Sequence, residues 1–215
     1  MKQDQKGIAV DSAGKEKEKN VLVMATMTVG LLLNHAGGVV TLYAKLPLFL
    51  DNMGTILVTI LVGLPAGVIT SILSSLLGAW FINPMIIYYT CTPIAIALCA
   101  GWMAKKGYFR SVPRTIGGAI VMGVVSGASA APVVILFGGF TGTCTDVSTA
   151  LLLAAGQSLF TSAFLSNFVN EPFDKIIQCL LVVWIIRGFP KALQTRFANS
   201  GYLIKNMKKE CFLGP

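Results

Sequence analysis

The side chains able to do chemistry are few: one histidine, His35, five cysteines (Cys91, Cys99, Cys144, Cys179, Cys211) and nine carboxylates. A single histidine excludes the zinc sites that need two, and the cysteines are scattered with no C-x-x-C pair. The chain contains no H-E-x-x-H, G-x-S-x-G or Walker A sequence. Asp51, Asp146, Glu171 and Asp174 fall at expected outer helix ends, where carboxylates are readily solvated. None then stands in mid-membrane, where a proton-coupled carrier would need one. The expectation is no catalytic residue, no metal and no cofactor of its own. Any transport would draw its energy from a partner.

These side chains are set in an apolar chain. Hydrophobic residues make up 54% of the 215 and charged ones 12%, with a mean hydropathy of +0.73, the composition of a polytopic membrane protein. That length holds about six helices of roughly 20 residues each. The central stretch, 45–83, reads as a helical hairpin with Asp51 and Asn52 at its mouth and its turn at Gly63-Leu64-Pro65-Ala66-Gly67. Both limbs are apolar on nearly all sides, which excludes a strand hairpin of alternating polarity.

The net charge of +8 lies in blocks: fifteen of the seventeen cations fall in the N-terminal tail, in 105–114 and from Arg187 onward. That is the positive-inside pattern, with both termini and the 105–114 loop cytoplasmic. A nucleic-acid surface would instead gather these charges on one folded face among aromatics. The expected organisation is a disordered cytoplasmic tail over 1–19, a membrane domain over 20–191 and a basic cytoplasmic tail over 192–215. Six helices are placed at 20–34, 49–64, 66–82, 85–104, 113–137 and 173–189, with an outer loop at 35–48. Ending inside requires an odd number of crossings after the fifth helix. The polar-flecked segment 147–168 is therefore assigned to a non-crossing element on the outer side, shielded by protein. The rival is a seven-span chain with its C-terminus outside. The fold class is an all-α, six-helix membrane bundle.

At the outer ends His35, Tyr43, Asp51, Asn52, Trp80, Asn83, Tyr88, Tyr89, Phe140, Thr141 and Asn167 converge. Interfacial Tyr and Trp serve as anchors, but the group as a whole suits a pocket open to the exterior. A lone loop histidine is ordinarily solvated rather than a metal ligand. Helix 5 carries Ala119, Gly123, Gly127 and Ala131 at four-residue spacing, which lets another helix approach closely, by default within this bundle.

The run LPLFLDNMGTILVTILVGLPAGVITSILSSLLGAWFINP, with EPFDKIIQCLLVVWIIRGFP later, resembles an S-component, the substrate-binding subunit of an energy-coupling factor (ECF) vitamin transporter. The resemblance implies six helices in the bacterial plasma membrane, both termini cytoplasmic, and an outer-face pocket capped by the loop after helix 1. It also implies docking on a transmembrane coupling protein driven by two cytoplasmic ATPases. The family's Ala-x-x-x-Ala docking motif is imperfect here: Ala25 is followed by Val29, with Thr26 and Gly30 alongside. Within the family the chain looks most similar to the cobalamin-specific type, making cobalamin the transported ligand. Neutral outer-end residues suit a corrinoid, whereas a small anionic vitamin would favour Arg or Lys, of which only Lys45 and Lys175 lie outside. The alternatives are an S-component for another vitamin, a self-contained channel or secondary carrier, which calls for an internal repeat or a mid-membrane polar break, and a membrane-embedded sensor or assembly factor.

Overall fold

The computed structural model describes residues 2–44, 48–138, 145–190 and 196–197. Seven α-helices follow one another: α1 (Lys2–Tyr43), α2 (Met53–Leu61), α3 (Leu64–Phe81), α4 (Cys91–Lys106), α5 (Val112–Leu136), α6 (Thr145–Ala154) and α7 (Leu159–Gly188). Short 3₁₀ turns at Pro84–Tyr89 and Tyr108–Arg110 join α3 to α4 and α4 to α5. Among the described residues there is no strand. Among those residues three stretches are long and apolar enough to cross a membrane: Glu16–Thr41 within α1, all of α3 and all of α5.

The helices run up and down between a basic end and a far end. Lys105, Lys106, Arg110 and Arg114 gather at the α4–α5 turn, and Arg187 closes α7 beside them. The α2–α3 hairpin turns at Gly63 with a φ of 131°, where the read turn lies. Close approaches of backbone fix the remaining geometry. A Cβ on Gly54 would collide with the Gly30 backbone, so α1 and α2 cross at van der Waals distance there. Likewise Gly123 of α5 meets the Pro172 backbone of α7, and α5 and α7 pack along much of their length. The small-residue stripe of α5 thus serves packing inside the chain.

Four segments differ from expectation. α1 takes in residues 2–19, assigned to a polar tail, and continues through His35 to Tyr43, where a loop was placed. The α1–α2 connection is correspondingly shorter. α2 has only nine residues, about 14 Å of helix, less than half of a bilayer core of roughly 30 Å. Non-helical residues 48–50 continue its path toward the far end beside α1, where the Thr41 hydroxyl donates to the Phe49 carbonyl at 3.0 Å. This part of the chain is therefore half helix and half open backbone.

The fourth difference is α7. The sequence pattern starts helix 6 at Phe173, but one helix runs from Leu159 through Pro172 to Gly188. Residues 147–168 are divided between α6, the turn at Gly156 and the first third of α7. α6 is short and packs on α7, with Thr149 against Ser166 at 2.8 Å and Asn170 donating to Ser148 at 3.2 Å. α6 has ten residues, about 15 Å of helix. The N-terminal third of α7 is continuous with the helix that reaches the basic end.

Candidate functional site: a buried polar centre on α7

Glu171, Asp174, Lys175 and Gln178 stand three or four residues apart on one face of α7, and all are buried. This corrects the placement of Glu171 and Asp174 at a solvated helix end. They lie opposite the middle of α5, where Ser126 donates to Glu171 Oε2 at 2.6 Å. Charges so deep persist because they are paired. Lys175 Nζ lies 2.6 Å from Asp174 Oδ2 and 3.0 Å from Glu171 Oε2. Gln178 Nε2 donates to the same Asp174 oxygen at 2.6 Å.

Asp174 also holds open backbone. Its Oδ1 accepts from the Phe49 and Leu50 amides, each at 3.0 Å. Leu50 has a φ of 48°, a left-handed conformation that disfavours non-glycine residues by about 1–3 kcal/mol and needs support from its surroundings. Two charge-assisted hydrogen bonds from that residue and its neighbour supply it. Asp51 follows directly and is exposed, one residue beyond the Leu50 amide that Asp174 holds.

A second node starts α2. Asn34 Oδ1 accepts from the Gly54 and Thr55 amides at 2.7 and 3.3 Å. Its Nδ2 donates to the Thr55 and Ser74 hydroxyls at 3.0 and 3.2 Å. The first amides of a helix have no intrahelical acceptor, and away from water another side chain must provide one. Asn34 does so, which is why the chain can enter a helix at this buried place.

Toward the far end, the same face of α7 continues polar through Asn170, Asn167, Ser166 and Ser162. Toward the basic end it turns apolar: Cys179, Val182, Val183 and Ile186 pack with Ile60, Leu61, Met103, Ala119 and Met122 into one dry core.

Of the residues expected at the pocket, the structure brings Asp51, Asn52 and Asn167 to this centre or its polar approach. Asn52 is buried and donates to Asp51 Oδ1 at 2.6 Å. Asn167 is buried with its Nδ2 on the Ala163 carbonyl at 2.8 Å. His35 lies within α1, its Nδ1 2.8 Å from the Leu31 carbonyl and its Nε2 buried with no hydrogen-bond partner. Tyr43 and Trp80 project outward, 83% and 84% exposed, as interfacial anchors do. Asn83 caps the Pro84–Tyr89 turn by accepting from the Met85 amide at 3.0 Å, and Tyr89 is half-buried in that turn. Tyr88 is exposed and packs on Phe137 with ring centroids 4.9 Å apart. Phe140 and Thr141 lie outside the described residues. On α1, Ala25 and Val29 are exposed, while Thr26 and Gly30 are buried within the chain.

The residues missing from the expected site are Ser126, Glu171, Asp174, Lys175 and Gln178. Their signal was the spacing of polar residues at 162, 166, 170–171, 174–175 and 178, one helical face carried unbroken across Pro172.

Fold and centre together define a class: an all-helical protein with helices suited to a membrane and a charged, internally paired group in its interior. Comparison of the chain with protein-family models, with curated proteins and with solved structures finds no match in any of the three.

Proposed function

We propose that the chain captures a solute for an importer and performs no chemistry itself, in the manner of the substrate-binding subunit of an ECF-type transporter. The observation that carries this reading is the one-sided interior. A buried polar face runs along α7 from Ser162 to Gln178 and stops at the dry core around Val182, Met122 and Ile60. A solute could be held from the far end, but beyond Gln178 it would meet the apolar packing of Cys179, Val182 and Ile186. Release would then need a second component, as a coupling protein with two ATPases would supply. With the basic loops cytoplasmic, the far end faces outward and the non-helical 48–52 segment forms one wall of the site. The resemblance proposes cobalamin as the solute and a bacterial plasma membrane as the location.

Calorimetry on the detergent-purified chain tests capture, and uptake into vesicles with and without the ATPase module tests dependence on it. Saturable binding with ATPase-dependent uptake supports the reading, and uptake by the chain alone overturns it. A second test lies on α1. Leu in place of the exposed Ala25 should abolish uptake and leave binding within about twofold, since a bulky side chain obstructs close helix approach. Equal loss of both would remove Ala25 from the docking surface.

One observation favours a self-contained carrier instead: the charged centre stands beside a half-helical crossing, an arrangement that secondary transporters use at their binding sites. Counterflow in vesicles lacking any ATPase separates the two readings.

A further inference from the structure

The centre has an unmet demand, and its sign is legible. Two carboxylates, Glu171 and Asp174, close on the single ammonium of Lys175, so negative charge is in excess. Asp174 is fully engaged, with Oδ1 on two backbone amides and Oδ2 on Lys175 and Gln178. Gln178, however, is 0% exposed, and its Oε1 has no hydrogen-bond partner while its Nε2 is fixed on Asp174. A buried amide oxygen left without a donor costs about 1–3 kcal/mol. The Asp174 contact decides the orientation of the amide, because a carboxylate accepts from –NH₂ and repels C=O.

What is missing is thus a hydrogen-bond donor, in a place that also lacks positive charge. One group supplies both. We infer that the polar centre formed by Glu171, Asp174, Lys175 and Gln178 beside Asp51 recognises a protonated nitrogen on the solute: an ammonium, amidinium, guanidinium or protonated ring nitrogen. The N–H bonds Gln178 Oε1 and the charge faces the surplus carboxylates. Solutes whose only charge is negative are excluded by those same groups. A metal ion fits less well, since among the described residues no three His, Cys, Asp or Glu side chains are grouped to hold one.

This inference rests on the capture reading and narrows its solute. It departs from the corrinoid expectation, which took the lining to be neutral, whereas the lining on α7 is charged.

The test is saturable binding to the full chain in detergent, with benzylamine, benzamidine and agmatine as cationic probes, benzyl alcohol and benzamide as neutral counterparts, and benzoate as the anion. At least one cationic probe should bind at millimolar concentration or better, with its neutral counterpart at least tenfold weaker. Gln178→Leu should weaken the cation at least tenfold, and Gln178→Glu should tighten it. Saturable binding by no cationic probe, or binding unchanged in both Gln178 variants, would overturn the inference. Neutral or anionic probes binding as well as the cations would do the same. Cobalamin binding that survives Gln178→Leu would leave the capture reading standing and sink this one. Cation binding with ATPase-independent uptake would do the reverse.

Discussion

Along α7 the residues before and after Gln178 are equally buried and chemically opposite. Glu171, Asp174, Lys175 and Gln178 are almost fully withdrawn from solvent, and so are Cys179, Val182 and Ile186. Burial therefore does not distinguish the two halves of the bundle. What does is how their groups are satisfied. The half near the basic end packs apolar side chains from α2, α4, α5 and α7, and its buried Thr59 and Thr115 hydroxyls donate to backbone carbonyls of nearby residues. The other half holds charges, amides and unwound backbone, each needing a named partner, and the partners come from five helices, α1, α2, α5, α6 and α7. Dispersion contacts are forgiving and distributed, whereas a paired charge in low dielectric is neither. The two halves should accordingly fail in different ways.

The sharpest break is Lys175→Met. It leaves Glu171 and Asp174 without their cation and should destabilise the folded chain by about 3–5 kcal/mol, read as loss of thermal stability in detergent together with loss of binding. A change below about 1 kcal/mol would mean that the centre is hydrated and the contrast false. Ile60→Ala probes the dry half. Truncating a fully buried aliphatic costs about 2–5 kcal/mol through transfer and cavity terms, and here solute affinity should stay within about twofold. Loss of affinity at unchanged stability would show that the dry core belongs to the site. Asn34→Ala should cost about 1–3 kcal/mol by stranding the Gly54 and Thr55 amides, with amide hydrogen exchange rising first at the start of α2. At the bottom of the scale stands Glu18→Gln. Its ion pair with Arg196 spans 2.8 Å but both side chains are about two-thirds exposed, and unfolding should shift by no more than about 1 kcal/mol.

The helical class and the hairpin were legible because hydropathy and the Gly63 turn speak locally. Gly30, Gly54 and Gly123 were visible as small residues, but a close approach becomes a contact only once the partner backbone is placed. Two misreadings share a cause. His35–Tyr43 looked like a loop because His, Gly and Thr are costly in lipid, and Glu171–Lys175 looked like a helix end because charges are. Both judgments price a residue against its solvent alone. In the folded chain Gly37 and Thr41 face the 48–50 backbone, and Glu171 and Asp174 face Lys175. Pro172 reinforced the second error, since a proline ordinarily marks a boundary. Inside a bundle it can sit mid-helix, here where Gly123 leaves room for it. The expected pocket residues gathered the aromatic rim because interfacial Tyr and Trp are conspicuous, whereas the polar face of α7 is written in residues that also suit a loop.

The division of labour between the two oxygens of Asp174 has an evolutionary corollary. One oxygen holds the 48–50 backbone, and the other holds Lys175 and Gln178, so position 174 is tied to two tasks through one side chain. A lineage that altered this carboxylate would at the same stroke release the Phe49 and Leu50 backbone that it holds. Change in the centre has an easier route through Gln178 or Ser126, which touch it without anchoring the chain. Position 174 should therefore stay fixed while its neighbours drift.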